Sequence, residues 1–389
     1  MDVYINELKK LIKTPALLLF LVFCIGFNLL LIISGAYYDY SDYIAEVSKT
    51  TGYVLGAGFD EKLAGLGAEG FRNHIQEEEF KDYLQADTSG VEDVFDGYET
   101  YHIAEKYIGL SDLTGWKADA LRDKYEKLQG AVDKKAASDE SLTLYFAGYT
   151  YNKHKELFGF GGMINRLVVE CGLIAALTML LSLGYENNNH TSHIVFATKT
   201  GRKIIYHKLF ASVTAGLLAY VVLSLITLTV YFVVNDYGNI WDSSVSSVFN
   251  YIIDVDLSCR PFVTWHSFSV LTYLFAVLGI TALLSICFAL IAFCIGTWFR
   301  NSYLGFLVFL LINASLITLI LLLPGNSTMS FIIMLTPVLM WLQQAVWFTD
   351  GQINALWANF EIINTCISLV FLAGLCAFSV WAFRRRDLA

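Results

Sequence analysis

Few residues in this chain stand at spacings that could do chemistry. His190 and His193 lie at i, i+3 with Glu186 upstream, which is the start of a metal site without a further strong ligand, so polar loop residues are the simpler reading. The chain has no Gly-x4-Gly-Lys-Ser/Thr loop, His-Glu-x2-His pair, Gly-x-Ser-x-Gly elbow or kinase signature, so no motif for an enzymatic site of its own is found. Glu170 lies in an apolar run, where an isolated charge costs a few kcal/mol. Arg166, four residues earlier on the same helical face, offers it an ion pair near the headgroups, a reading that ranks ahead of substrate binding or proton relay. Asn28, Asn313 and Asn364 are single amides in other apolar runs, suited equally to bonding between helices and to lining a path. Together with Glu170, Pro337 and Gln343 they are the candidate pathway or gate residues.

Membrane helices have to position these groups. The 389 residues are 56% hydrophobic and their mean hydropathy is +0.54, too apolar for an ordinary soluble domain. Six runs reach the length of about 20 residues that a hydrocarbon core about 30 Å thick demands. They are Ala16 to Ile33, Ile164 to Gly184, Leu209 to Val234, Phe268 to Phe299, Tyr303 to Leu323 and Ile362 to Phe383. The first run is too long for a cleaved secretory leader and is expected to remain as a span. The shorter piece Met329 to Trp341 contains Pro337 and predicts a re-entrant or interfacial segment.

Basic residues orient the spans. Lys9, Lys10 and Lys13, then Lys199, Arg202, Lys203 and Lys208, then Arg300, and finally Arg384, Arg385 and Arg386 all fall on one side only if there are six spans. The positive-inside rule makes that side the cytoplasm, with both termini there and the membrane the plasma membrane. Tyr37, Tyr38, Tyr40 and Tyr43 at one surface, and Trp298 and Trp381 at the other, fit interfacial belts. Tyr4, Leu8, Leu11 and Ile12 share one helical face ahead of Pro15, which predicts a short interfacial helix on the inner leaflet. The predicted organisation is therefore residues 1–35 for this helix and the first span, 36–162 for an extracytoplasmic domain, and 163–389 for the remaining spans.

That insertion carries the charge. From Asp39 to Glu156 there are 24 Asp and Glu against 13 Lys and Arg, a net of −11, while the rest of the chain sums to +2. Neither part suits nucleic acid. The insertion has no cysteine, and no disulfide framework is expected. It has no proline between Asp39 and Gly162, and Leu113, Trp116, Ala120, Leu121, Tyr125 and Leu128 follow helical spacing, so a mostly helical domain with its own core is expected. Leu142 to Tyr151 has strand composition and leaves α+β open. In the fourth span, Ala282, Ser285, Ala289, Ala292 and Gly296 form a small-residue stripe for close helix packing, within one subunit or across a dimer.

The connection between the second and third spans is the most telling stretch: Glu186, Thr191, Thr198, Lys199, Gly201, Arg202, Lys203 and Lys208. Read by itself, it needs to be no more than a set of cations that anchors a loop to anionic lipid and fixes topology. It also resembles the ABC type-2 permease family, the membrane subunits of bacterial ABC exporters. There a Glu ends helix two, a short coupling helix carries a Thr/Ser-x-x-Arg type of turn, and a Lys opens helix three. The Pro usual in that turn is absent, with Lys199 and Thr200 near its place. The resemblance extends to the interfacial helix, the six spans and the broken segment before the last, and covers the chain apart from the insertion. It implies two permease chains, identical or homologous, in membrane lipid, and separate ABC ATPase subunits docked on loop 186–208. ATP and Mg would sit on those ATPases, and no cofactor would be bound by this chain. An amphipathic peptide, drug or lipid-like molecule would be exported by alternating access, with 324–361 as an outer gate. The alternatives are a membrane receptor with a ligand-binding outer domain, which would not need six spans and a broken segment, and a secondary transporter. The latter would show inverted repeats and paired intramembrane charges, and neither is found.

Overall fold

Chain order in the computed structural model is α1 (Asp2–Ile12), α2 (Pro15–Gly35), α3 (Phe59–Gly65), α4 (Tyr101–Leu110), α5 (Trp116–Ala136), α6 (Met163–Asn188), α7 (Ser192–Ala197), α8 (Ile204–Val234), β1 (Tyr251–Ile253), β2 (Cys259–Pro261), α9 (Val270–Gly296), α10 (Ser302–Leu322), α11 (Thr328–Ile333), α12 (Pro337–Leu342) and α13 (Phe360–Arg385). The structure describes residues 2–35, 47–52, 54–55, 58–65, 82, 84–85, 88–143, 154, 156–197, 201–235, 237, 240–248, 250–254, 256, 258–299 and 301–385. The interfacial tyrosines 37, 38, 40 and 43, and Arg300 and Arg386, lie outside them.

Helices α2, α6, α8, α9, α10 and α13 are long and apolar enough to cross a membrane, those of a multi-pass membrane protein. Their ends follow local chemistry. Lys13 and Thr14 interrupt the helix between α1 and α2, and Pro15 occupies the first position of α2, where its missing N–H costs nothing. Ser269 caps α9 by accepting from the Thr272 amide, and Asn301 caps α10 by accepting from Tyr303 and Leu304. The segment around Pro337 folds as α11 and α12, six residues each, and one such helix rises only about 9 Å.

The bundle is built around α6. Its apolar window is 78% buried, against 11% for α10 at the periphery. Small residues set the approach of its neighbours. A Cβ added at Gly172 would come within 2.7 Å of the Phe288 ring in α9, and one at Gly296 within 2.6 Å of Leu183. The stripe on α9 is therefore spent at least partly on α6 within one subunit: Ser285, Ala289 and Ala292 are buried, and Gly296 faces Leu180 and Leu183.

One end of the bundle carries α1 and α7 (the loop end), and the other carries the insertion (the domain end). At the domain end, α4 and α5 pack through Tyr107, Leu121, Tyr125, Leu128 and Val132. Trp116 departs from the expected core face and is 58% exposed. The helix starts only at Trp116, after Gly115 at φ +60°, and its buried face runs through Ala118, Leu121 and Tyr125. The expectation of a self-contained core is also corrected. Val263, from the connection between α8 and α9, is part of the same core, with Trp265, Phe331 and Ile353 packed against it. Val54 and Thr143 form an antiparallel bridge, and residues 144–151 of the expected strand lie outside the described residues. The hairpin of β1 and β2 pairs Ile252 with Arg260.

Candidate functional site

At the loop end, Glu186 lies in the last turn of α6, and Thr191 turns the chain by donating its amide to the Glu186 carbonyl at 2.8 Å. Six residues of α7 follow, then a 3-10 turn, Gly201–Lys203, entered with Gly201 at φ +49°. Thr198 and Lys199 lie outside the described residues. Ile194 and Lys203 are exposed. Arg202, half-buried, donates from Nη1 to the Arg384 carbonyl at 2.6 Å, and so caps the last turn of α13.

Glu186 and Lys208 are not part of the loop's surface. They are 6% and 4% exposed and pair with each other, and Lys208 also donates to the Ser182 carbonyl. Glu7, 3% exposed, comes within 3.6 Å of Lys208 and bonds Lys10 at 2.6 Å, while Lys10 approaches Glu186 at 3.7 Å. Burial opposes the Lys10 charge, but Glu7 and Glu186 outweigh it and hold its pKa above the ordinary lysine value. Two carboxylates and two ammonium groups thus make a formally neutral cluster joining α1, α6 and α8. Losing one member would strand a buried charge at a cost of about 3–5 kcal/mol. The apolar face of α1 adds to the tie: Leu11, Tyr4 and Leu8 pack on Ala211 and Ala215, and the Tyr4 hydroxyl bonds Thr214 at 2.9 Å. Ile12, expected on that face, is exposed. Glu7 was missed in the sequence, although its place between Tyr4 and Leu11 puts a carboxylate on the apolar face, where it needs a buried cation.

Inside the bundle the expected Arg166–Glu170 pair does not form. Glu170 Oε2 instead accepts from Asn28 Nδ2 at 2.7 Å, and the same amide reaches Thr227 at 3.3 Å, so α2, α6 and α8 are stitched through one amide. A neutral amide on α2 is nearer the carboxylate than the guanidinium one helical turn away. Asn313 bonds only within α10, to Phe309 O at 2.8 Å, among its described contacts. Asn364 accepts from Trp357 Nε1 at 3.1 Å, Pro337 is the buried first residue of α12, and Gln343 is buried where α12 ends. Of these candidates, Asn28 and Glu170 are in direct contact, and Pro337 and Gln343 flank one short helix.

The domain end holds a second buried polar cluster that the sequence reading did not find. Lys124 donates to the carbonyls of Asp350, Gln352 and Ala355 at 2.9, 2.7 and 2.8 Å. Arg260 Nη2 bonds both Asp350 oxygens at 2.9 and 2.8 Å, the Tyr125 hydroxyl donates to Asp350, and that of Tyr107 donates to Asp254. Burial pushes Lys124 down to about 7 and holds the Tyr125 hydroxyl well above its ordinary value. Burial opposes the Asp350 charge as well, yet Arg260 and Lys124 keep its pKa below the usual carboxylate value. The available signal was again periodic: Lys124 lies three residues after Leu121 and four before Leu128, on the buried face. No family model matches the chain, and no curated protein matches it.

Proposed function

We propose that the chain is the membrane-spanning permease subunit of an ATP-driven exporter, with its loop end in the cytoplasm and its insertion outside. The observation that carries this reading is the cluster of buried Glu7, Glu186 and Lys208 with half-buried Lys10. It fastens α1, α6 and α8 together immediately behind a loop built of two short helical turns. A force applied to α7 by a partner therefore reaches two spans and the interfacial helix at once, as a lever joining an ATPase to a pathway must. The partner ATPase holds ATP and Mg, a second permease copy completes the pathway, and α11 and α12 form the outer gate. An amphipathic cargo suits spans with few fixed charges. ATP binding drives the change only if the ATPase dimer binds the inward-open and outward-open states with different affinity.

The test is reconstitution in liposomes with a candidate ABC ATPase from the same genome. Ile194→Asp with Lys203→Glu is expected to lower ATPase binding and ATP-driven export by about tenfold or more while leaving the melting temperature unchanged, because both side chains are exposed. Unchanged binding and export in a folded double variant would remove the docking role from this loop. Arg202→Glu is a poorer probe, since it also uncaps α13.

A further inference from the structure

Trp116 stands exposed at the start of α5, and its neighbours fix its level in the molecule. Lys117, the next residue, donates from Nζ to the Asn326 carbonyl, and that nitrogen lies 5.6 Å from the centre of the Phe331 ring and 6.0 Å from that of Trp116. A Cβ added at Gly325 would come within 4.0 Å of the Ser111 hydroxyl oxygen. The tip between α4 and α5 therefore rests on the stretch that joins α10 to α11.

The spans set the depth of that stretch. Helix α10 has 21 residues, a rise of about 31 Å, which matches a hydrocarbon core about 30 Å thick. Leu321 and Leu322 at its domain end are 79% and 76% exposed, as side chains that face lipid are. The chain then turns back at once, with the Ser327 amide and the Ser330 hydroxyl both donating to the Pro324 carbonyl, at 3.0 and 2.8 Å. Asn326 and the Lys117 ammonium are thereby held just beyond the end of α10, at the level of the headgroups. On α11, Met329 and Ile332 lie on one face and are exposed, whereas Ser330 and Ile333 are buried. That is the pattern of a short helix lying in an interface.

Indole suits this level, because it joins a large apolar body to a single N–H donor, and tryptophan is enriched there. Lysine suits it too, since its stem can lie along apolar surface while the ammonium stays among oxygens. Asp112 and Asp119 are exposed on either side of Trp116 in sequence, which favours zwitterionic over anionic headgroups.

We propose that the insertion is docked on the membrane that the spans cross, with Trp116, Met329 and Ile332 entering the upper acyl region of the zwitterionic leaflet at the domain end. Lipid continuous with that around α10 covers this patch. The proposal rests on α10 being a span and needs neither the exporter reading nor an ATPase.

The test places the full chain, labelled with 5-fluorotryptophan, in phosphatidylcholine nanodiscs. The fluorine NMR signal of Trp116 is assigned by its loss in Trp116→Phe, or in Trp116→Tyr if the first variant does not fold. Trp381, half exposed near the loop end of α13, is assigned in the same way and serves as the reference for a tryptophan on a span. Two agents report the surroundings: a phosphatidylcholine with a nitroxide near the top of one acyl chain, and a neutral gadolinium chelate confined to water. The ratio of lipid broadening to chelate broadening at Trp116 is expected to come within about threefold of that at Trp381. A lower ratio puts the ring in water and overturns the proposal. Protection from both agents means that protein, of this chain or of a second copy, covers the ring, and overturns it equally. If Trp381 itself escapes the nitroxide lipid, the reading of the helices as spans fails and takes the proposal with it.

Discussion

An ammonium group has three donors and no acceptor, and Lys124 directs its donors at three carbonyls of one short stretch, residues 350–355. Burial opposes that charge and pushes the lysine down to about 7, whereas in the unfolded chain it titrates near 10 (about 10.4 for a free lysine). Below pH 7 both states carry the proton, and the contribution to stability is flat. Between about pH 7 and about 10 the unfolded chain holds a proton that the folded chain has released, so the contribution rises with pH. Lys124→Met leaves the three carbonyls without a donor and is expected to cost about 2 kcal/mol near pH 6. The melting temperature of the wild type minus that of Lys124→Met, followed in detergent from pH 6 to 9.5, is expected to widen above pH 7. A gap that stays flat to pH 9.5 would mean that the three carbonyls keep the ammonium charged throughout.

The same close fit operates between helices, where glycine sets the distance. A Cβ at Gly184 would lie 2.1 Å from the Ser302 hydroxyl oxygen, which itself donates to the Leu180 carbonyl at 2.9 Å. Gly184→Ala must push α10 away from α6 or break that bond, and a cost of about 1–3 kcal/mol is expected. Adding Ser302→Gly is expected to recover most of the loss in melting temperature, because the obstructing side chain is gone. Failure of the double variant to recover would place the strain in the backbone. The spans themselves were legible because each is a local property of one run of chain: apolar length, Pro15 at a start, Ser269 and Asn301 as caps. The small-residue stripe from Ala282 to Gly296 was legible as packing, but its partner α6 was not. Glu7 and Lys124 stood on apolar faces in plain view, and what the sequence lacked was the buried Lys208 ammonium waiting for the one and the carbonyls waiting for the other, supplied by chain about 200 to 230 residues away.

At the scale of the whole molecule, the insertion does not stand apart. Its core takes in Val263, Trp265, Phe331 and Ile353, and its polar cluster closes on Arg260 and Asp350. The 140–143 turn is tied to the same connection, with Val248 donating to Ser141 O at 2.6 Å and Ser247 to Thr143 O at 2.6 Å. Three stretches far apart in sequence thus share one set of buried bonds next to the segment that leads into α13. Stability should be shared among them as one cooperative unit, so that loosening any stretch loosens all three. Hydrogen exchange can read this directly. Arg260→Met, which removes the guanidinium from Asp350, is expected to raise amide exchange in α4 and α5 and in residues 344–356 as well as in the hairpin, while α8 keeps its protection. If exchange rises only in the hairpin, the insertion and the segment before α13 open separately. In that case nothing bound to the insertion could act on a gate through this cluster.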